Sequence, residues 1–172
     1  MAQLNQIQCR YVPLEDRVLL RINSSDHSEF RFWLTRRYVR LLWPVLSQLL
    51  QGDPQISQAQ DARARQAILA FQHESALSQS SFSQTFREEQ AKFPLGETPV
   101  LLSRIQTRTT TQGQSVLCLH PEQGQGIELN MSRTLLHALT RLLTDAVQKA
   151  GWELEASMPA APAAPAEQVT IN

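Results

Sequence analysis

The chain is poor in lysine. Of its sixteen basic residues only Lys92 and Lys149 are lysine, so fourteen are arginine. Formal charge balances to zero and the pI is near 6.9. That balance argues against a general binder of nucleic acid or of anionic membranes, whose attraction is a sum over many phosphates. Cysteine is also scarce. Cys9 and Cys118 are far apart in sequence and fall in predicted strands, where a free thiol usually serves as a small buried hydrophobe. They form no zinc pattern, and the four histidines show no spaced ligand set. No metal and no cofactor is expected.

Catalytic signatures are missing too. GQGQGIE, around Gly124 and Gly126, lacks both the lysine and the strand-then-helix setting of a phosphate loop, and reads as a hairpin loop. Glu15–Asp16 and Glu88–Glu89 are adjacent carboxylates, not a spaced acid–base pair. Cys118 and His120 share one strand parity, which makes a thiol–base pair only if a third group orients the histidine. A buried cysteine beside a strand-end histidine is the simpler reading. Ser132 is accounted for by helix capping. The expectation is a protein that is not an enzyme.

Long hydrophobic runs are absent as well. MAQLNQIQCR contains no apolar signal core, and the longest apolar run, 41–50, is too short and too polar to span a bilayer. The expectation is a cytoplasmic protein without membrane contact.

What is present is a stretch of strand, turn, strand and helix over residues 16–50. Ile7, Cys9 and Tyr11 alternate ahead of it as a short first strand after a frayed polar start, with Pro13 at its end. Val18, Leu20 and Ile22 then face a core, and Arg17 and Arg21 point away. The run 23–28 lacks glycine, which favours a longer loop over a two-residue turn. In the returning strand Phe30, Phe32 and Leu34 share the inner face, and Arg31 and Trp33 share the open one. Thr35 caps a helix whose stripe is Tyr38, Leu41, Leu42, Val45, Leu46, Leu49 and Leu50. Pro44 is expected to kink or divide it.

Residues 55–80 are rich in alanine and glutamine and predict a peripheral helix capped by Ser57. Its apolar face is thin: Ala64, Ala67, Ile68, Phe71 and Leu77. Phe82, Phe86 and Phe93 mark a second short segment before Pro94. From Val100 a single strand runs to Thr109, followed by strands around Val116–His120 and Ile127–Met131. A final helix carries Leu135, Leu136, Leu139, Leu142, Leu143, Ala146 and Val147. Asp145 and Lys149 are spaced to pair along it. Gly151 caps it, with Trp152 and Leu154 folding back. Beyond Ser157 the composition predicts disorder.

An offset of 97 aligns Leu34-Thr35-Arg36 with Met131-Ser132-Arg133, Leu42 with Leu139, and Val45 with Leu142. The reading is therefore α+β: duplicated strand-hairpin-helix units, antiparallel sheet packed against helices, and a helical insertion between the halves. The units are 7–54 and 100–156, with the insertion at 55–99 and a disordered tail at 157–172. This element order, over roughly 9–50 and 100–150, resembles the Whirly and PUR-type single-stranded nucleic-acid-binding folds. The resemblance implies curved sheets on which bases stack. It departs from those folds in the neutral charge and the uneven strand count, and no motif residue is transferred.

Charge is unevenly distributed. Residues 1–50 hold seven arginines against four acids, whereas 51–99 hold four bases against six acids. The candidate binding set is Arg17, Arg21, Arg31, Trp33, Arg36, Arg37 and Arg40. Arginine pairs well with carboxylates on a protein surface, and arginine interleaved with aromatics can hold phosphates while a ring stacks on a base. The expected function is a non-catalytic binding or assembly protein acting through protein–protein contacts, with homodimerisation possible. The alternative is a single-stranded nucleic-acid binder using the Arg/Trp face.

Overall fold

Apolar–polar alternation builds the first sheet. In the computed structural model, which describes residues 4–52, 58, 61–79, 86 and 92–154, β1 (Leu4–Val12), β2 (Arg17–Ser24) and β3 (Glu29–Leu34) form an antiparallel meander. β1 begins at Leu4, earlier than the polar start suggested, with a register irregularity between Leu4 and Gln6. Its later cross-strand pairs, Ile7 with Ile22 and Cys9 with Leu20, place apolar side chains opposite one another on the inner face.

β3 leads through Thr35 into α1 (Arg36–Gln51), and the Thr35 hydroxyl accepts from the Tyr38 amide at 3.1 Å. α1 is continuous through Pro44, so of the two expected effects, a kink or a division, the division does not occur. Arg40, Leu41, Pro44 and Gln48 all face solvent, so water can reach the carbonyl that proline leaves without a donor. The buried stripe is also rotated. Val39 and Trp43 join the core, while Leu41 is 52% exposed.

α2 (Ala62–Gln79) starts where the Asp61 carboxylate accepts from the Ala64 amide, and it packs on the last helix. Ala64 and Ile68 are half-buried on the expected face, in line with buried Gln72, whereas Ala67 is exposed and Phe71 is 74% exposed. The Ser57 cap, Phe82 and the tail at 157–172 lie outside the described residues, as does the side chain of Leu77.

The strand expected from Val100 to Thr109 is two strands in two sheets. β4 (Val100–Leu101) adds in parallel to β3, and β5 (Arg104–Thr109) pairs with β6 (Ser115–His120), which pairs with β7 (Ile127–Asn130). The sheet orders are β1-β2-β3-β4 and β5-β6-β7. Leu102 and Ser103 make the crossing: Leu102 N–H donates to Trp33 O in one sheet, and Ser103 N–H to His120 O in the other, both at 3.0 Å. Proximity of short strands in sequence could not reveal that change of partner.

Ser132 caps α3 (Arg133–Ala150), accepting from the Leu135 amide, and Gly151 closes it in the left-handed conformation at φ 62°. Along α3, Asp145 pairs with Arg141 one turn earlier, at 3.2 Å. Both sheets and both α1 and α3 contribute to one core, which includes Phe32, Leu34, Leu42, Leu117, Leu119, Leu139 and Leu143. α3 lies close along β1, and α1 approaches α3 and β5. Tyr38 Oη donates to Arg104 O at 3.2 Å, tying α1 to the second sheet. The protein is thus a mixed α+β structure with two mainly antiparallel sheets and, among the described residues, three helices.

Candidate functional site

The outer face of the first sheet is set by strand parity. Arg10, Leu19, Trp33 and Leu101 lie side by side across β1, β2, β3 and β4 as successive cross-strand partners. One step along, Gln8, Arg21 and Arg31 form the next row. The two rows differ in what they leave open.

In the second row the charges are spent within the fold. Glu29 is 2% exposed, and its Oε1 accepts from Arg21 Nε at 2.8 Å and from Arg31 Nε at 2.7 Å. Burial pushes the Glu29 carboxyl up, but the two guanidinium hydrogen bonds and charges outweigh it and hold the group below its ordinary range. The Arg21 guanidinium sits 4.2 Å from the centre of the Phe86 ring, and that of Arg31 4.5 Å from Phe93, in cation–π range. Lys92 N–H donates to His27 O, and Glu29 N–H to Lys92 O, each at 2.8 Å. That bridge lays the chain leading to Phe93 beside β3. The sequence signal for this arrangement was the trio of phenylalanines ahead of Pro94, two of which cover arginines.

The first row is accessible at both ends, with Arg10 exposed on β1 and Leu101 on β4. Leu19 is 8% exposed, Trp33 is half-buried and Leu101 is 45% exposed. Leu101 was missed as a surface residue because the sequence assigned it to a longer strand of the second half. Arg17 is half-buried and lies 3.8 Å from Glu15. Arg36, Arg37 and Arg40 are exposed on the first turns of α1, whose first turn carries no acid. The candidate set therefore divides in four. Arg17 lies beside Glu15, Arg21 and Arg31 belong to the Glu29 cluster, Trp33 to an apolar strip, and the three helical arginines to open surface.

On the second sheet the outward residues are Arg104, Gln106 and Arg108 of β5, Cys118 and His120 of β6, and Glu128 of β7. Among the described residues this face holds one group able to ligate a metal: Cys118, His120 and Glu128. Cys9 and Cys118 are both free thiols; Cys9 is partly buried against the core, and burial pushes its thiol up to about 12.

Compared with known proteins, the chain matches no family model, no curated protein and no solved structure. No helix among the described residues is long and apolar enough to cross a membrane.

Proposed function

We propose that the protein is a non-catalytic binding or assembly protein of the cytoplasm, docking a protein partner on the outer face of its first sheet. The observation that carries this reading is the Leu19–Trp33–Leu101 row, apolar and partly open, with arginine at its margins. Interfaces favour such an aromatic anchor, with arginine nearby to pair with carboxylates. Phe71, exposed on α2, adds apolar surface in the 55–99 segment. A second copy of the chain is one candidate partner. The two hairpin-helix units are read as a duplication with 55–99 inserted. Their matching hydroxyl caps at Thr35 and Ser132 support this.

A single-stranded nucleic acid is the second reading, favoured by Trp33 and by three exposed arginines without an acid in the first turn of α1. It is weakened by the loss of Arg21 and Arg31 to Glu29.

Sedimentation over a concentration series, together with affinity capture by wild type and by Leu101→Asp, tests the protein reading. The expected result is self-association or a captured partner that the variant loses. Monomeric behaviour with identical capture by both chains would overturn it. Oligonucleotide binding across a salt series decides the second reading. Phosphate contacts require affinity to fall steeply with salt, and absence of binding at low salt removes it.

A further inference from the structure

Cys118, His120 and Glu128 bring three different metal-ligating side chains to one spot on the second sheet. Cys118 and His120 are two residues apart on β6 and share its outward face, while Glu128 on β7 is the direct cross-strand partner of Cys118. The thiol sulfur, an imidazole nitrogen and a carboxylate oxygen all lie within 4.8 Å of one another. All three side chains stand on paired strands, which fix their relative positions better than a loop would.

Two neighbours complete the arrangement. Gly126 passes hard against His120, and a Cβ there would stand 2.7 Å from His120 Nδ1. Only a residue without a side chain lets the returning backbone lie beside the imidazole. Arg108, across the sheet on β5, hydrogen-bonds Glu128. A cation thus already sits on the carboxylate of the cluster.

We propose that Cys118, His120 and Glu128 form a binding site for a zinc-like divalent cation, which displaces the Arg108 guanidinium. The donor set decides the class of metal. Sulfur and imidazole suit zinc and its neighbours, whereas magnesium and calcium take oxygen ligands. Ligand atoms bound to one zinc stand roughly 3.5 Å apart, so the cluster closes by about 1 Å, within reach of side-chain rotation. Glu128 and Arg108 have side chains 49% and 59% exposed. Their ion pair is therefore weak and easily exchanged. On binding, the Cys118 sulfur gives a lone pair to the metal and its thiol proton passes to solvent. Three protein ligands leave the fourth tetrahedral position to water. The sequence concealed this set because the glutamate is supplied by strand pairing, not by a spaced motif.

The test uses the full chain stripped of metal with a chelator. Zn2+ is titrated against a chromophoric chelator, and Co2+ is followed by its absorption spectrum. Expected are one equivalent per chain, a thiolate-to-cobalt charge-transfer band, and one proton released. Cys9→Ser should keep the band and Cys118→Ser should abolish it. Glu128→Gln, a change at an exposed side chain that leaves folding intact, should weaken Zn2+ binding by more than about tenfold. Arg108→Gln should tighten it. No uptake, a band lost in Cys9→Ser, or uptake unchanged in both Cys118→Ser and Glu128→Gln would each overturn the proposal.

Discussion

The indole N–H of Trp152 donates to Asp16 Oδ1 at 3.0 Å, joining residues 136 positions apart. The same carboxylate oxygen accepts from Tyr11 Oη at 2.8 Å, and the Tyr11 and Trp152 rings meet edge to face at 5.9 Å. The turn after β1 is thereby fastened to the end of α3.

That carboxylate makes the fastening depend on pH. The hydrogen bonds from Trp152 and Tyr11 hold Asp16 below the ordinary carboxylate range. A depressed folded value means that the contribution is complete above the unfolded value and disappears as pH falls through the folded one. Thermal melts from neutral pH down into acid should therefore show a loss that is smaller in Asp16→Asn. Asparagine is the suitable probe because Asp16 has φ 47°, a conformation it tolerates. Parallel curves for the two proteins would refute the assignment.

Glu29 holds two arginines while almost wholly buried. Glu29→Gln removes the carboxylate charge that the Arg21 and Arg31 guanidiniums share. Removing one member of a buried ion cluster typically costs about 3 kcal/mol. Urea denaturation should show a loss of that order, and a change below about 1 kcal/mol would mean that the cluster is solvated.

Gly126 is required for space. A Cβ there would fall 2.0 Å from the Leu119 carbonyl oxygen and 2.7 Å from His120 Cα, and backbone cannot yield as a flexible side chain can. Gly126→Ala should cost about 2 kcal/mol or more in chemical denaturation.

Leu139 and Leu41 separate the core from the helix surface. Leu139 is fully buried and Leu41 is 52% exposed. Leu139→Ala should destabilise by about 3 kcal/mol, and Leu41→Ala by less than about 0.5 kcal/mol. Equal losses would restore the apolar stripe expected from spacing alone.

Local signals carried the elements well. Alternation placed Val18, Leu20 and Ile22 opposite Phe30, Phe32 and Leu34, and hydroxyl residues marked the starts of α1 and α3, because these are nearest-neighbour effects. What failed was long-range. Nothing in VLLSRIQ tells Leu101 to pair with Trp33 and Ile105 to pair with Leu119. The same blindness hid Glu29 as the shared partner of Arg21 and Arg31. A row of alternating arginines reads as open surface until the phenylalanines that cover two of them are seen. Trp33 kept its predicted face, and its neighbour Leu101 came from the far side of the sequence.

The crossing at Leu102 and Ser103 has a consequence for biosynthesis. The β3 edge waits for residues 100–101, and the inner side of β1 waits for α3. A nascent chain with only its first fifty residues emerged from the ribosome thus shows Ile7, Cys9 and Tyr11 uncovered. That apolar face gains its cover only once the last helix has been translated.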